Sequence, residues 1–411
     1  MTTGKGKIEN RGGMNQTISC GKNSRRRIVF VLFLVISLGL AGCGSASGEN
    51  SAKIGREQLA LGNYKEALVA FDQAISHDEA CGEYYCLAGT ACLYSGDYAD
   101  AQSYFLRASQ LDSQSMEAWR GLGIAYMNQD HYREAIDAFD EAVSHTGMWV
   151  SELDYDILEY RAEAEYRAGE SSDALVTYQA LIDLGYHKAD NYFRHGVVCL
   201  SMYDVEAAKA DFEAAVTCSD SDYSLYLDIY YRLSEFGMKE QAENYLKRAQ
   251  ELAGNEDEDY LARGEAYFLD GAYEDAIQSF AQVQNTDKGG QLYLSMASCY
   301  VALEDYEKAT DCYDRYISCY GDDYRVLNEL AVCQSESGLY EDAIATLQSA
   351  MALQGGMDEP SLKWNLILAY EGNHQMELAY ATAVEYVGNY PTDTEGIQEL
   401  EYLKEELNIT E

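Results

Sequence analysis

From Ser51 onward, small and apolar residues recur at i, i+3, i+4 and i+7, the spacing that lays one stripe along one face of a helix. The runs are short and come in pairs, and glycines divide the members of many pairs: Gly62, Gly96, Gly169, Gly237, Gly271 and Gly338. Glycine enters the left-handed conformation of a helix C-cap without steric cost, so each of these positions predicts the end of a first helix and the turn into a second. The two prolines of the 411 residues leave long stretches free of helix breakers. Ahead of the paired runs the pattern is different: Ile28 to Ala41 is an uncharged apolar stretch preceded by Lys22 and Arg25 to Arg27.

The pairs are copies of one another. The fragment Gly62-Asn63-Tyr64-Lys65-Glu66-Ala67, followed by Phe71 and Ala74, returns as Gly96-Asp97-Tyr98 with Ala101, Phe105 and Ala108. It returns again as Tyr132 with Ala135, Phe139 and Ala142, and as Gly271-Ala272-Tyr273 with Ala276 and Phe280. The central alanines fall at Ala67, Ala101, Ala135, Ala174, Ala208, Ala242, Ala276, Ala309, Ala343 and Ala379, at intervals of 34, 34, 39, 34, 34, 34, 33, 34 and 36. A period this constant means an array of ten units, each too small to bury its own faces and stable only against its neighbours.

A large residue, then Leu-Gly-x-x-Tyr, Gly-x-Tyr, Ala-x-x-x-Phe and Ala resembles the tetratricopeptide repeat, and the fullest copy reads Trp119, Leu122, Gly123, Tyr126, Tyr132, Ala135, Phe139 and Ala142. The resemblance implies an all-α, right-handed solenoid of about ten helix-turn-helix units over residues 51–393. Within it, a small residue at Gly55, Gly89, Gly123, Gly196 or Gly264 lets a facing helix approach, and Phe71, Phe105, Phe139, Phe212 or Phe280 fills the gap. The acidic segment Thr394 to Leu407, with Leu400, Leu403 and Leu407 on one stripe, predicts a C-terminal capping helix within residues 394–411. The 39-residue interval places an insertion around Met148 to Asp154, and the sixth unit is weak, with Tyr230 and Leu246 at its small and aromatic positions.

The apolar stretch Ile28 to Ala41 has 14 residues, short of the roughly 20 that span a bilayer and suited to the core of an export signal. It ends Leu40-Ala41-Gly42-Cys43, which resembles the bacterial lipoprotein signal. That resemblance implies removal of residues 1–42, lipidation of Cys43, a flexible tether over residues 43–50, and a body held at the extracytoplasmic face of the cell membrane. Met14 serves equally as a start, since all of the signal lies after it.

The chain carries 29 basic and 70 acidic residues, a net charge of −41. Loss of residues 1–42 leaves 22 against 69, or −47. Such a body is repelled by phosphate backbones and anionic lipid, which excludes nucleic acid as a partner and favours a protein with a basic patch. Chemistry is sparse. His77, His131, His145, His187, His195 and His374 are scattered, with no carboxylate at helical spacing to complete a metal site, and they read as solvated. Asn255 to Asp259 lacks the glycine and distal glutamate of a calcium loop and is expected to favour the start of the following helix instead. With no phosphate loop or nucleophile elbow in the body, the sequence points away from an enzyme and from any cofactor. Of the body cysteines, Cys312 and Cys319 lie seven apart on one helix, too far for a disulfide, and Cys92, Cys199, Cys299 and Cys333 fall at inward positions, as small core residues.

Function is therefore expected from surface. The family's first helices line a concave groove that takes peptides or partner proteins, and the resemblance places there Tyr94, Arg120, Met127, Tyr166, Phe193, Leu227, Tyr231, Leu261, Phe268, Leu294, Asn328 and Trp364. The Lys/Asn clamp with which some members hold a terminal carboxylate is absent, since Ala52 and Arg56, Cys86 and Thr90, or Arg120 and Ile124 stand in its place. The reading is a membrane-anchored scaffold binding proteins or peptides through that groove; the alternative is a structural spacer, or a self-associating envelope protein, without a specific ligand.

Overall fold

The computed structural model describes residues 46–284, 289–353, 355–356 and 359–409. Among them are 21 α-helices and no strand. They pair as ten hairpins: α1 (Ala46–Ala60) with α2 (Tyr64–His77), α3 (Gly82–Ser95) with α4 (Tyr98–Leu111), α5 (Met116–Met127) with α6 (Tyr132–Ser144), α7 (Glu152–Arg167) with α8 (Ser171–Leu184), and α9 (Lys188–Ser201) with α10 (Val205–Cys218). There follow α11 (Tyr223–Glu235) with α12 (Lys239–Glu251), α13 (Asp257–Leu269) with α14 (Tyr273–Phe280), α15 (Gly289–Ala302) with α16 (Tyr306–Tyr320), α17 (Tyr324–Glu336) with α18 (Tyr340–Met351), and α19 (Pro360–Gly372) with α20 (Met376–Asn389). The last helix, α21 (Thr394–Glu406), is the predicted cap: Asp393 accepts from the first-turn amides of Glu395 and Gly396, and Leu403 is fully buried. Two compact units divide within α11, one ending at Leu225 and the other beginning at Tyr226.

The packing rule within each hairpin is the one the repeat implies. All ten central alanines are fully buried. Four residues on, Phe71, Phe105, Phe139, Tyr178, Phe212, Leu246, Phe280, Tyr313, Leu347 and Ala383 are each no more than 2% exposed. A Cβ placed on Gly55, Gly89, Gly123, Gly196 or Gly264 would meet the ring of Phe71, Phe105, Phe139, Phe212 or Phe280 at 2.4 to 2.8 Å, so the missing side chain is what admits the aromatic. Five residues before each central alanine the chain turns through positive φ, between 58° and 84°. Glycine supplies six of these turns; Asp130, Tyr203, Glu304 and His374 supply the other four.

Some expectations change. The body does not begin after a tether ending at Asn50: α1 starts at Ala46 and buries Gly48. The segment predicted as a signal and residues 43–45 of the predicted tether lie outside the described residues. No helix among the described residues is long and apolar enough to cross a membrane. The insertion forms a loop between α6 and α7 that exposes Met148, Trp149 and Val150, and α7 still packs on α6. Asp259 accepts from the Glu256 amide at 2.9 Å and completes a capping box at the start of α13, the role expected for that acidic run. All nine cysteines among the described residues are free thiols.

Candidate partner-binding face

The odd-numbered helices α1 to α19 are the first helices of the hairpins, and polar contacts tie successive ones together. In the first compact unit, Arg56 on α1 donates to Glu83 on α3 at 2.5 Å, Arg120 on α5 pairs with Asp156 on α7, and Arg194 on α9 donates to Glu163 on α7 at 3.0 Å. In the second unit, the Tyr231 hydroxyl donates to Glu265 at 2.7 Å, and the Asn365 amide donates to the Asn328 carbonyl at 2.9 Å. These links run between consecutive first helices, so the face they form is laced by its own charges.

Arg120 is the centre of the lacing in the first unit. Its side chain is 13% exposed and lies 5.4 Å from the Tyr160 ring centroid, a cation–π contact added to the Asp156 pair. Burial opposes its charge, but the Asp156 carboxylate outweighs that, and the guanidinium is held above its ordinary range. Burial pushes the Tyr160 phenol up to about 12, with Arg120 pulling against it. Tyr94 stacks on Tyr64 of the preceding hairpin, centroids 5.4 Å apart and 13° between planes. Burial also raises the Glu159 carboxyl, which His187 and Arg194 pull back.

Of the residues expected to line a groove, Tyr94, Arg120, Met127, Tyr166 and Phe193 in the first unit are half-buried, as are Tyr231, Leu261, Phe268 and Leu294 in the second. Three are not surface residues. Leu227 is 6% exposed, Asn328 4% and Trp364 8%. Asn328 is committed to Asn365, and the Trp364 ring packs 5.8 Å from that of Tyr386, so neither is available to a ligand. Phe193 keeps one side against Phe212, at 5.9 Å, and Phe268 against Tyr273, at 5.6 Å. Tyr160, Glu163 and Arg194 were missed. For Glu163 and Arg194 the signal was opposite charge roughly one repeat apart, which a search for apolar stripes passes over.

His195 corrects a further expectation. It is not solvated but sits within α9, its side chain 15% exposed and Nδ1 2.7 Å from Asp211 of α10. A shallow cleft of about 490 Å³ lies between α8 and His195, and another of about 330 Å³ lies where Asp130 to Glu134 meet Arg167. Helix α7 holds six carboxylates against Arg161 and Arg167, of which Asp154, Asp156 and Glu165 are buried.

A sequence profile of the tetratricopeptide repeat matches residues 86–149, 122–189 and 294–360. No curated protein matches the sequence. Among solved structures, the chain is similar to the P58(IPK) tetratricopeptide domain, at 16% identity over 88% of this chain and 99% of that one, with a TM-score of 0.27. It is also similar to the Cut9–Hcn1 hetero-tetramer of the APC/C, at 11% identity over 87% and 96%, with a TM-score of 0.38. MamA from Desulfovibrio magneticus RS-1 is similar at 17% identity over 44% and 99%, with a TM-score of 0.40. Overlaps this low assign no ligand; the repeat architecture rests on the profile match and on the hairpins themselves.

Proposed function

We propose that this tetratricopeptide repeat protein is a scaffold, lipid-anchored through Cys43 at the extracytoplasmic face of a bacterial membrane, that binds an extended segment of a partner protein along its first helices. The observation that carries the reading is the composition of the face from α1 to α9. Tyr94, Tyr160, Tyr166 and Phe193 are half-exposed there, while Arg56, Arg120 and Arg194 are neutralised by ion pairs. Glu117 and Asp190 remain exposed at the same helices. Half-exposed aromatics beside net negative charge suit a segment that alternates apolar with basic residues, and paired arginines offer little to an acidic one. The anchor rests on the basic run, the 14-residue apolar stretch and the Leu-Ala-Gly-Cys box.

One experiment tests both parts. The full chain, Cys43→Ala, and Tyr166→Ala/Phe193→Ala are produced in a bacterial host fed an alkyne fatty acid, and captured proteins are identified from detergent-solubilised envelopes. The reading expects fatty-acid label on the parent, none on Cys43→Ala, and a captured protein lost from the double variant at unchanged helix content. An unlabelled parent sinks the anchor. A captured set identical in the parent and the double variant sinks the face.

A further inference from the structure

In the fifth hairpin, three positions that are apolar in the third are occupied by metal-ligand types. Counting from the central alanine, the third hairpin has Leu122, Tyr126 and Ala138, and the fifth has His195, Cys199 and Asp211. His195 and Cys199 stand one turn apart on α9, and Asp211 reaches them from α10. His195 Nδ1 lies 2.7 Å from Asp211 Oδ2, and Cys199 Sγ lies 3.7 Å from that nitrogen and 3.8 Å from that oxygen. All three ligand atoms fall within 4.8 Å of one another.

We propose that His195, Cys199 and Asp211 form a binding site for one divalent transition-metal ion, zinc(II) by its donor set. Zinc takes imidazole nitrogen and carboxylate oxygen at about 2.0–2.2 Å and thiolate sulfur at about 2.3 Å in a tetrahedron, so sulfur would stand roughly 3.6 Å from each of the other two donors. The two sulfur separations already match. The nitrogen and oxygen would have to part by roughly 0.7 Å to reach the tetrahedral edge of about 3.4 Å, which exchanges their hydrogen bond for two bonds to metal. A thiol in the set disfavours magnesium and calcium, which take oxygen ligands.

Closing the site is balanced. The Cys199 thiol gives its proton to solvent as sulfur bonds the ion, and the imidazole proton moves from Nδ1 to Nε2 to free the coordinating lone pair. Asp211 trades its hydrogen bond for the metal, and one proton leaves per ion bound. Because a proton leaves for each ion bound, binding strengthens as pH rises. The fourth position opens to the cleft along α8, bounded by Leu175, Gln179 and Asp183, where water or a partner's donor completes the shell.

The same three positions in the fourth hairpin hold Arg161, Glu165 and Thr177, closed on one another at 2.7 to 2.8 Å. A polar triplet there is thus satisfied without an ion when it includes a guanidinium. In the fifth hairpin the thiol makes, among the described residues, two long contacts, at 3.7 and 3.8 Å.

The full chain in mild detergent, stripped with a chelator, is titrated with cobalt(II) and then with zinc(II). One equivalent of cobalt should give a thiolate-to-metal charge-transfer band, zinc should abolish it, and calorimetry in buffers of different ionisation enthalpy should report one proton released. Cys199→Ala, a small residue of the kind these cores already hold, should lose the band; Asp211→Asn should weaken zinc by more than the roughly 10–100-fold cost of losing an outer-shell partner. Absence of a one-equivalent band in the parent overturns the proposal, and so does a band that survives Cys199→Ala, since another thiol would then be its source.

Discussion

Gly123→Ala isolates the packing rule that shapes every hairpin. In an exposed helix interior this change gains about 1 kcal/mol, because alanine is the better helix former. Here the new Cβ would stand 2.4 Å from Phe139 Cε1, 2.7 Å from Cζ and 2.8 Å from Cδ1, where carbon pairs prefer about 3.5–4.0 Å. The ring is fully buried and backed by Tyr160 of the next hairpin, centroids 6.1 Å apart and planes 17° from parallel, so the displacement of about 1 Å has nowhere to go. Overpacking of this kind costs about 1–3 kcal/mol, which against the propensity gain leaves a net loss of up to about 2 kcal/mol. Phe139→Leu removes the ring atoms that collide, so the double variant should be more stable than the two single effects predict, by a coupling of about 1–2 kcal/mol. Repeat arrays need not unfold in one step, so the measurement is native-state hydrogen exchange read by mass spectrometry on peptides from α5 and α6. Additive effects would refute the reasoning. Gly96→Ala is the contrast: no atom lies within 4 Å, but φ is +84°, so its cost of about 1–2 kcal/mol is backbone strain that Phe105→Leu cannot relieve.

Tyr203 turns at φ 64° with its side chain 87% exposed, and Tyr203→Gly should therefore stabilise the fifth hairpin by about 0.5–1 kcal/mol, seen as slower exchange in α9 and α10. Glu371 on α19 is raised to about 8 by burial and by Glu399 on α21, and a carboxyl raised on folding loses stability as pH climbs from its unfolded value of 4.5 toward 8. The cap should loosen over that window, and Glu399→Gln should blunt the fall; a parent and variant with parallel melting temperatures from pH 5 to 9 would contradict the pairing. Trp149 is 83% exposed and Trp364 8%, so Trp149→Phe should remove the red-shifted fluorescence component most accessible to acrylamide.

What the sequence disclosed is what the period repeats. Ten central alanines and most of the aromatic partners could be read because each copy checks the others, and six turns could be read because only glycine advertises a left-handed residue. Asp130, Tyr203, Glu304 and His374 make the same turn without the signal, held there by the hairpin on either side. The N-terminal boundary was placed late because Gly44 to Asn50 has a linker's composition, yet packing against α2 extends the helix back to Ala46. The face was harder. Leu227, Asn328 and Trp364 hold the same repeat position as Arg120 and Phe193, and the neighbours that bury them in one hairpin and leave them half-exposed in another come from different points in the chain. The His195–Cys199–Asp211 cluster escaped for the same reason, its carboxylate arriving from the second helix.

The lacing of the first helices also bears on what a ligand has to supply. Arg120 donates to Asp156 and rests on Tyr160, so an acidic ligand could recruit it only by breaking an ion pair that is almost wholly out of water, and separating such a pair costs about 3–5 kcal/mol. A basic segment faces no such penalty: it meets Glu117 and Asp190, which are outward, and leaves the pairs intact. Binding by that route draws on charge near solvent and must weaken as salt shortens the Debye length from about 10 Å at 0.1 M to about 3 Å at 1 M. Contact with Tyr166 and Phe193 is apolar and does not weaken in this way. The two contributions therefore separate in one titration: a partner whose affinity falls with salt to a plateau, with the plateau removed by Tyr166→Ala/Phe193→Ala, uses both, and an affinity that salt leaves untouched would mean the carboxylates of this face take no part.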